Sequence, residues 1–180
     1  RSQIQQDNFL LDPDLYLRKL DIKNITNEVE EALKDAIQCF KAELYTPCLA
    51  MLTKAIEGAW IELGLALINS RNESQRLKFK KQSEIFTSDF SSIVKVLRTV
   101  LVLYEKHDVF EDIVQKSKVK IDDLRNSVIW ADCVRESRND VHYGKELVFP
   151  NDFEKVSTLL LAAPAHFKMI YKLISICTGQ

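Results

Sequence analysis

Apolar residues recur every three or four positions along most of the chain, which is the pattern of helices with one buried face. The clearest such stripe runs through Val29, Leu33, Ile37 and Phe40. The strict alternation of apolar and polar residues that marks a half-buried strand does not occur in the sequence. The pattern therefore predicts an all-α fold, an antiparallel up-and-down helical bundle of about five to six helices.

Capping residues, glycine and proline indicate where these helices begin and end. Thr46-Pro47 combines a cap with a proline at the first helical position, and Gly144 suits the left-handed end of a helix. Pro164 lies inside the last helix and should kink or split it. The predicted helices cover residues 27–44, 46–69, 75–86, 88–106, 121–142 and 151–177, with one or two further turns at 111–116.

Length and composition fit one globular domain. The chain has 180 residues, of which 46% are hydrophobic and 28% are charged, and this is the composition of a folded chain rather than a disordered one. Residues 1–26 are polar and weakly periodic, so we expect a polar N-terminal arm with one short helix, followed by the bundle over 27–180. The chain opens with Arg1 and not with methionine, which is consistent with a piece of a longer protein that carries fused domains.

Charge, cysteines and hydropathy narrow the class of protein. The formal net charge is −1, so a strongly basic coat for nucleic acid is absent, although a local patch can still bind RNA. The cysteines have no zinc-ligand spacing, and we expect reduced thiols, no metal and no cofactor. Because no apolar run approaches the ~20 residues that span a bilayer, and no signal-peptide pattern is present, we expect a cytoplasmic protein that does not bind membranes.

One polar cluster stands out near the end of the helix predicted over 121–142. At about 100° per residue, four polar residues share one face over two turns, namely Arg135, Arg138, Asn139 and His142. The same face is apolar further upstream, at Leu124, Val128 and Ala131. Charged groups that continue a core-facing stripe need partners or a cleft. They form either a functional site or a buried salt-bridge and capping network at the helix C-terminus, where the macrodipole favours positive charge.

The stretch RESRNDVHYG, from Arg135 to Gly144, resembles the signature of the HEPN superfamily of helical bundles. In that family an arginine precedes a histidine by four to six residues near the end of a long helix. Arg135 and His142 enclose six residues, which is the upper limit. Arg138-Asn139 resembles the family's Arg-Asn step, but only three residues separate Arg138 from His142, one fewer than the pattern has. Arg135 is therefore the favoured motif arginine, and the resemblance covers roughly residues 27–177.

The resemblance implies a metal-independent RNA endonuclease, or a catalytically inactive relative, in a prokaryotic defence or toxin–antitoxin setting. His142 would transfer a proton at the ribose 2′-hydroxyl or at the leaving oxygen, because imidazole titrates near neutral pH. Arg135 and Arg138 would bind the phosphate and stabilise the charge of the transition state, and Asn139 would position the phosphate or the histidine ring. Sites of this family usually form between two copies, so we expect a homodimer, and an apolar stripe that runs into the motif agrees with this.

Further residues are candidates for a supporting role. Glu57 interrupts the apolar side of its helix, and it either orients Arg135 or Arg138 or reaches water as a boundary residue. A basic segment is either a weak candidate for RNA contact or a solvated face, and its residues are Arg71, Arg76, Lys78, Lys80 and Lys81. Two other classes of function stay open. They are a non-catalytic helical module that dimerises or binds a partner protein, and a bundle that binds a nucleotide or another small ligand at Arg135.

Overall fold

The computed structural model of the chain describes residues 7–77, 93–105, 107–139 and 150–179. These residues contain one 3-10 helix, eight α-helices and no strand. The 3-10 helix is Asp7–Leu11, and the α-helices are α1 Pro13–Leu20, α2 Asn27–Lys41, α3 Tyr45–Asn69, α4 Glu73–Leu77, α5 Ile93–Glu105, α6 His107–Ser117, α7 Ile121–Asn139 and α8 Phe153–Thr178. The prediction of an all-α helical bundle is confirmed. The described residues hold more helices than the five to six expected, because α1 and α6 lie where the sequence shows little periodicity.

Aspartates cap the first and last α-helices. Oδ1 of Asp12 accepts hydrogen bonds from the N–H groups of Asp14 and Leu15 at 3.0 and 3.1 Å, at the start of α1. Oδ1 of Asp152 accepts one from the N–H of Lys155 at 2.9 Å, at the start of α8. These bonds satisfy N–H groups that have no partner within a helix, so short-range chemistry sets both starts.

The helix α2 ends earlier than predicted, at Lys41, in a tight turn around Glu43. The N–H of Glu43 bonds to the carbonyl of Phe40 at 3.0 Å, and the N–H of Leu44 bonds to the carbonyl of Cys39 at 2.8 Å. These two bonds form a Schellman motif, whose left-handed residue is usually glycine. Here that residue is Glu43, with a φ of 59°, a conformation that carries a steric cost for a residue with a Cβ atom.

The chain divides into two compact units. The first consists of residues 1–56 and 130–168, and the second consists of residues 57–129 and 169–180. The helices α3, α7 and α8 each contribute residues to both units.

In the first unit, the described part of the segment expected as a polar arm is packed into the core. Phe9, Leu10, Tyr16 and Leu20 are buried, and α1 packs on α2. The rings of Phe9 and Tyr16 are stacked with their centroids 5.7 Å apart. The segment looks polar in the sequence because a short helix needs few apolar residues to bury one face.

Pro164 does not split α8, and the carbonyl of Leu160, which lacks the N–H of residue 164 as a donor, accepts a hydrogen bond from another residue. The helix runs from Phe153 to Thr178 with Pro164 inside it. Proline has no N–H, so it cannot bond to the carbonyl of Leu160 one turn earlier. The hydroxyl of Tyr16 donates to that carbonyl at 2.8 Å. Tyr16 is fully buried, and burial raises the pKa of its hydroxyl far above the usual range, so the donor keeps its proton.

In the second unit, buried tyrosines bond to segments distant in the sequence. The helix α5 packs on α6, and the hydroxyl of Tyr104 in α5 donates to the carbonyl of Val119 at 2.7 Å. The hydroxyl of Tyr171 donates to Oε2 of Glu62 at 2.9 Å. Each bond satisfies a hydroxyl that would be costly to bury alone.

The helix α8 is the one helix among the described residues that is long and apolar enough to cross a membrane, by length and composition only. Its buried residues form a stripe with helical spacing, which includes Val156, Leu160, Ala163, Phe167 and Ile170. The core helix of a bundle passes the same test of length and composition, so the expectation that the protein does not bind membranes stays a prediction.

Candidate functional site

The buried face of α7 is rotated from the face that the sequence pattern indicates. Its buried residues are Leu124, Ser127, Trp130, Ala131, Val134 and Ser137. At about 100° per residue these positions centre on the side of Ser127 and Val134, roughly a quarter turn from Arg135. Arg135 therefore lies on the rim of the buried face, and Arg138 lies closer to its centre.

The apolar stripe that precedes the motif is used inside the chain. Leu124 and Ala131 are buried, and Val128 is half-buried. Leu124 and Ala131 pack within their own chain and cannot also cover a second copy, and the homodimer stays a prediction. A homodimer would need another surface.

The guanidinium of Arg135 forms two ion pairs with residues of its own helix. Its Nε lies 3.4 Å from Oδ1 of Asp132, and its Nη2 lies 3.7 Å from Oε1 of Glu136. The Arg135 side chain is 26% exposed, against 33% for Asp132 and 70% for Glu136. Partly exposed pairs within one helix contribute ~0.2–0.5 kcal/mol, so these contacts do not lock Arg135 in place.

Of the other three motif residues, Arg138 is the one whose side chain the structure describes. It is half-buried in the last turn of α7. The backbone of Asn139 ends α7, whereas its side chain lies outside what the structure describes, as does His142. The helix brings Arg135 and Arg138 within one turn of each other, as predicted from their spacing. That all four residues line one cleft stays a prediction.

Asn151 joins the last turn of α7 to the start of α3 within the first unit. Its Nδ2 donates to the carbonyl of Ser137 at 2.8 Å and lies 3.2 Å from Oγ1 of Thr46. Ser137 stands between the two candidate arginines, so this bond holds the turn that carries them. The sequence assigned Asn151 to the start of the last helix, but Asp152 supplies that cap. The sequence does contain a signal for this second role. Asn151 and Asp152 are both capping residues, and the start of α8 uses only Asp152.

Glu57 lies in the part of α3 that belongs to the second unit and is half-buried. Its position tests neither of its predicted roles, the orientation of a motif arginine or a boundary position that reaches water. Both stay predictions.

Arg71, a candidate RNA contact, is instead part of the core of the second unit. Its side chain is 8% exposed, and its Nη1 and Nη2 lie 3.1 and 3.3 Å from the two carboxylate oxygens of Asp112. This is the bidentate geometry that a guanidinium and a carboxylate favour. The guanidinium also lies over the ring of Phe110, 5.0 Å from its centroid. Burial alone would raise the pKa of Asp112, but the hydrogen bond and the charge of Arg71, together with the N–H of Ile113 and the charge of Lys116, outweigh burial and lower that pKa.

Arg76, the second candidate RNA contact in this segment, bonds to the C-terminal end of α3. Its Nε donates to the carbonyls of Ile68 and Arg71 at 3.2 and 2.8 Å, and its Nη2 donates to the carbonyl of Asn69 at 3.2 Å. The last carbonyls of a helix lack their usual donors, and this side chain supplies one to Asn69 and a second one to Ile68, whose carbonyl also accepts the N–H of Arg71 at 3.1 Å. Arg71 and Arg76 thus both bond within the fold, but Arg76 stays exposed, so its contact with RNA remains a prediction. The remaining predicted RNA contacts lie outside the described residues, namely Lys78, Lys80 and Lys81.

His166 stacks on Trp130 in the first unit. The ring centroids are 4.4 Å apart and the planes make an angle of 17°. Burial lowers the pKa of His166, which favours its neutral form. Trp130 is itself buried, as a core residue should be. His166 therefore packs on a core residue of the first unit.

The described residues show no cluster suited to metal or thiol chemistry. Among them, no group of three or more histidine, cysteine, aspartate or glutamate side chains could hold a metal ion. All four cysteines lie in the described part of the chain, and each is free. Burial raises the pKa of Cys48 to about 12 and that of Cys177 to about 11, so both remain protonated thiols near neutral pH.

The fold and this geometry define a class of protein: an all-α bundle with two arginines about one turn apart near the C-terminal end of one long helix. A partly exposed arginine of this kind can bind an anion such as a phosphate. No family model, curated protein or solved structure matches this chain.

Proposed function

We propose that the chain is a HEPN-like domain that cleaves RNA without a metal, at a site formed by Arg135, Arg138, Asn139 and His142. The observation that supports this is the place of Arg135 on the rim of α7, partly exposed and paired with Asp132 and Glu136 of its own helix. A phosphate is a stronger partner than such a pair, so Arg135 can exchange one for the other. The prokaryotic defence or toxin–antitoxin setting and the shared site of a homodimer belong to the same proposal.

In this proposal the chemistry is a proton transfer supported by charge. His142 removes the proton of the ribose 2′-hydroxyl, whose oxygen bonds to phosphorus while the bond to the 5′-oxygen breaks. The 5′-oxygen takes a proton from solvent. Arg135 and Arg138 bind the phosphate and stabilise the negative charge that its oxygens gain in the transition state, and Asn139 orients the reacting groups. The products are a 2′,3′-cyclic phosphate and a 5′-hydroxyl.

An RNA-cleavage assay with and without EDTA tests the proposal. Cleavage should not change with EDTA, and a 2′-deoxy substitution at the scissile nucleotide should block it. Arg135→Ala should lower the rate by roughly 10²–10³, by analogy with the removal of one oxyanion donor, and His142→Ala should abolish cleavage. Arg125→Ala is the matched control, because Arg125 lies on the same helix and is also paired, with Asp122 and Glu105.

The free energy of unfolding of the same variants distinguishes this proposal from the alternative that the polar cluster is a buried salt-bridge and capping network at the C-terminus of α7. Arg135→Ala should leave the free energy of unfolding within about 0.5 kcal/mol of wild type, because its described ion pairs are weak. An inactive wild type, or variants at Arg135 and His142 that unfold more easily without losing an activity, would contradict the nuclease proposal.

A second candidate is a non-catalytic module that binds a partner protein or a second copy. The observation that favours it is an apolar surface of the first unit, where Leu44 and Phe153 are 52% and 55% exposed. The rings of Tyr45 and Phe153 pack on Phe40 with centroids 5.9 and 5.4 Å away, so this surface extends over two helix starts. For this candidate, Phe153→Ser should abolish self-association in sedimentation experiments, and wild type should not cleave RNA.

A further inference from the structure

We propose that Asn151 is a positioning residue of the ribonuclease site: its bond to the carbonyl of Ser137 fixes the direction in which the last turn of α7 presents Arg135 and Arg138. This inference rests on the proposed function. It assigns to Asn151 no contact with RNA, and its action runs through the backbone of α7.

The two partners of Asn151 are chemically unequal. The carbonyl of Ser137 can only accept a hydrogen bond, so the Nδ2 side of the amide must face it at 2.8 Å. The hydroxyl of Thr46, at 3.2 Å, can either donate or accept. A group at position 151 that cannot donate therefore loses the bond to Ser137 but can keep a bond to Thr46.

The bond to Ser137 acts where a helix is weakest. Ser137 lies in the last turn of α7 that the structure describes, which runs to Asn139, and its carbonyl accepts the Nδ2 donor of Asn151. Turns near the end of a helix open more readily than turns in its middle. Asn151 supplies a donor from a separate segment, so the turn that carries Arg138 is held from outside the helix. Because a shift of about 1 Å in a catalytic group can cost ~10²-fold in rate, such a hold matters for a site.

Stability alone does not explain why residue 151 carries an amide. Its Oδ1 is buried and has no hydrogen-bond partner among the described residues. A buried acceptor without a partner destabilises a fold, and such groups are rare enough to need an explanation. The bond to Ser137 explains the unpaired Oδ1 of Asn151, because an amide that provides the Nδ2 donor also carries this oxygen.

Asn151→Asp and Thr46→Val form a matched pair of variants. Each keeps the shape of the side chain, and each removes a different bond of the same amide. Asn151→Asp should lower kcat for RNA cleavage by about 10- to 100-fold, whereas Thr46→Val should stay within about twofold. As the pH falls toward the pKa of the new carboxyl, the ratio of Asn151→Asp to wild type should rise, because the protonated acid donates again.

Amide hydrogen exchange supplies a readout that does not depend on activity. In Asn151→Asp, exchange should become faster at Arg138 and Asn139 and remain unchanged in α2. Faster exchange spread evenly over the first unit would show a purely structural role and overturn the proposal. A kcat of Asn151→Asp equal to that of wild type would also overturn the proposal, and so would an equal loss of kcat in Thr46→Val. If wild type does not cleave RNA, the proposed function itself is wrong. If wild type is active and Asn151→Asp is equally active, only the positioning role is wrong.

Discussion

Removal of the Tyr16 hydroxyl should destabilise the first unit by about 1–3 kcal/mol, the cost of a buried carbonyl without a donor. The hydroxyl donates to the carbonyl of Leu160 at 2.8 Å, and Pro164 has no N–H that could replace it. Tyr16→Phe keeps the ring and its stack on Phe9, so the loss is that of the hydrogen bond. Equilibrium unfolding in urea would measure it as a lower midpoint with an unchanged slope.

A double-mutant cycle with Pro164→Ala isolates the cause. Alanine at position 164 restores an N–H that can bond to the carbonyl of Leu160 within α8. In that background, Tyr16→Phe should cost less by ~1 kcal/mol, since the carbonyl no longer lacks a donor. The coupling arises from one shared acceptor, so its sign is fixed by the structure.

Tyr104→Phe is the control for this cycle. Tyr104 is also fully buried, and its hydroxyl donates to the carbonyl of Val119 at 2.7 Å. Pro164 has no part in that bond, so the cost of Tyr104→Phe should be the same with and without Pro164→Ala. Additive effects of Tyr16→Phe and Pro164→Ala would refute the reasoning, as would an equal coupling at Tyr104.

Two further predictions concern stability. Arg71→Met should destabilise the second unit by about 1 kcal/mol at neutral pH, the value of a charged hydrogen bond discounted for the exposure of Asp112. Because the pKa of Asp112 is lowered below its ordinary 3.8 in the fold, this contribution is present above that value and is lost as the pH falls through the folded pKa. The urea midpoints of wild type and variant should therefore converge in acid, and a constant difference would contradict this. Glu43→Gly should stabilise the first unit by about 1 kcal/mol, since glycine adopts a φ of 59° without the strain of a Cβ atom. A thermal midpoint that does not rise would contradict it.

Periodicity and caps predicted the long helices well, because both act within a few residues of the chain. The helix α7 begins at Ile121, as predicted, and α3 begins at Tyr45, one residue before the predicted Thr46-Pro47 start. Local patterns failed where an element is short: α6 was expected as one or two turns, and the packing of α1 was not expected at all. A short helix is stabilised mainly by what it packs against, and its own sequence says little about that.

The candidate RNA contacts show a different limit. Arg71 and Arg76 lie in a basic segment of the sequence, and such a segment is usually a solvated face. In the fold, Arg71 pairs with Asp112, 41 positions away, and Arg76 bonds to the carbonyls that end α3. The sequence shows the charges of these residues but not their partners, and it does not show that Arg71 is buried while Arg76 stays exposed.

The sequence by itself determined the helical class of the chain, because turn-by-turn periodicity and capping chemistry depend on neighbours within one or two turns. It also placed Arg135 and Arg138 in one stretch of one helix. The tertiary structure decided which side of α7 is buried, and that side includes the polar residues Ser127 and Ser137, which the apolar pattern does not mark. It alone decided the contact between Ser137 and Asn151, since the two residues are 14 positions apart and belong to no common helical pattern, so their bond depends on how the segments pack.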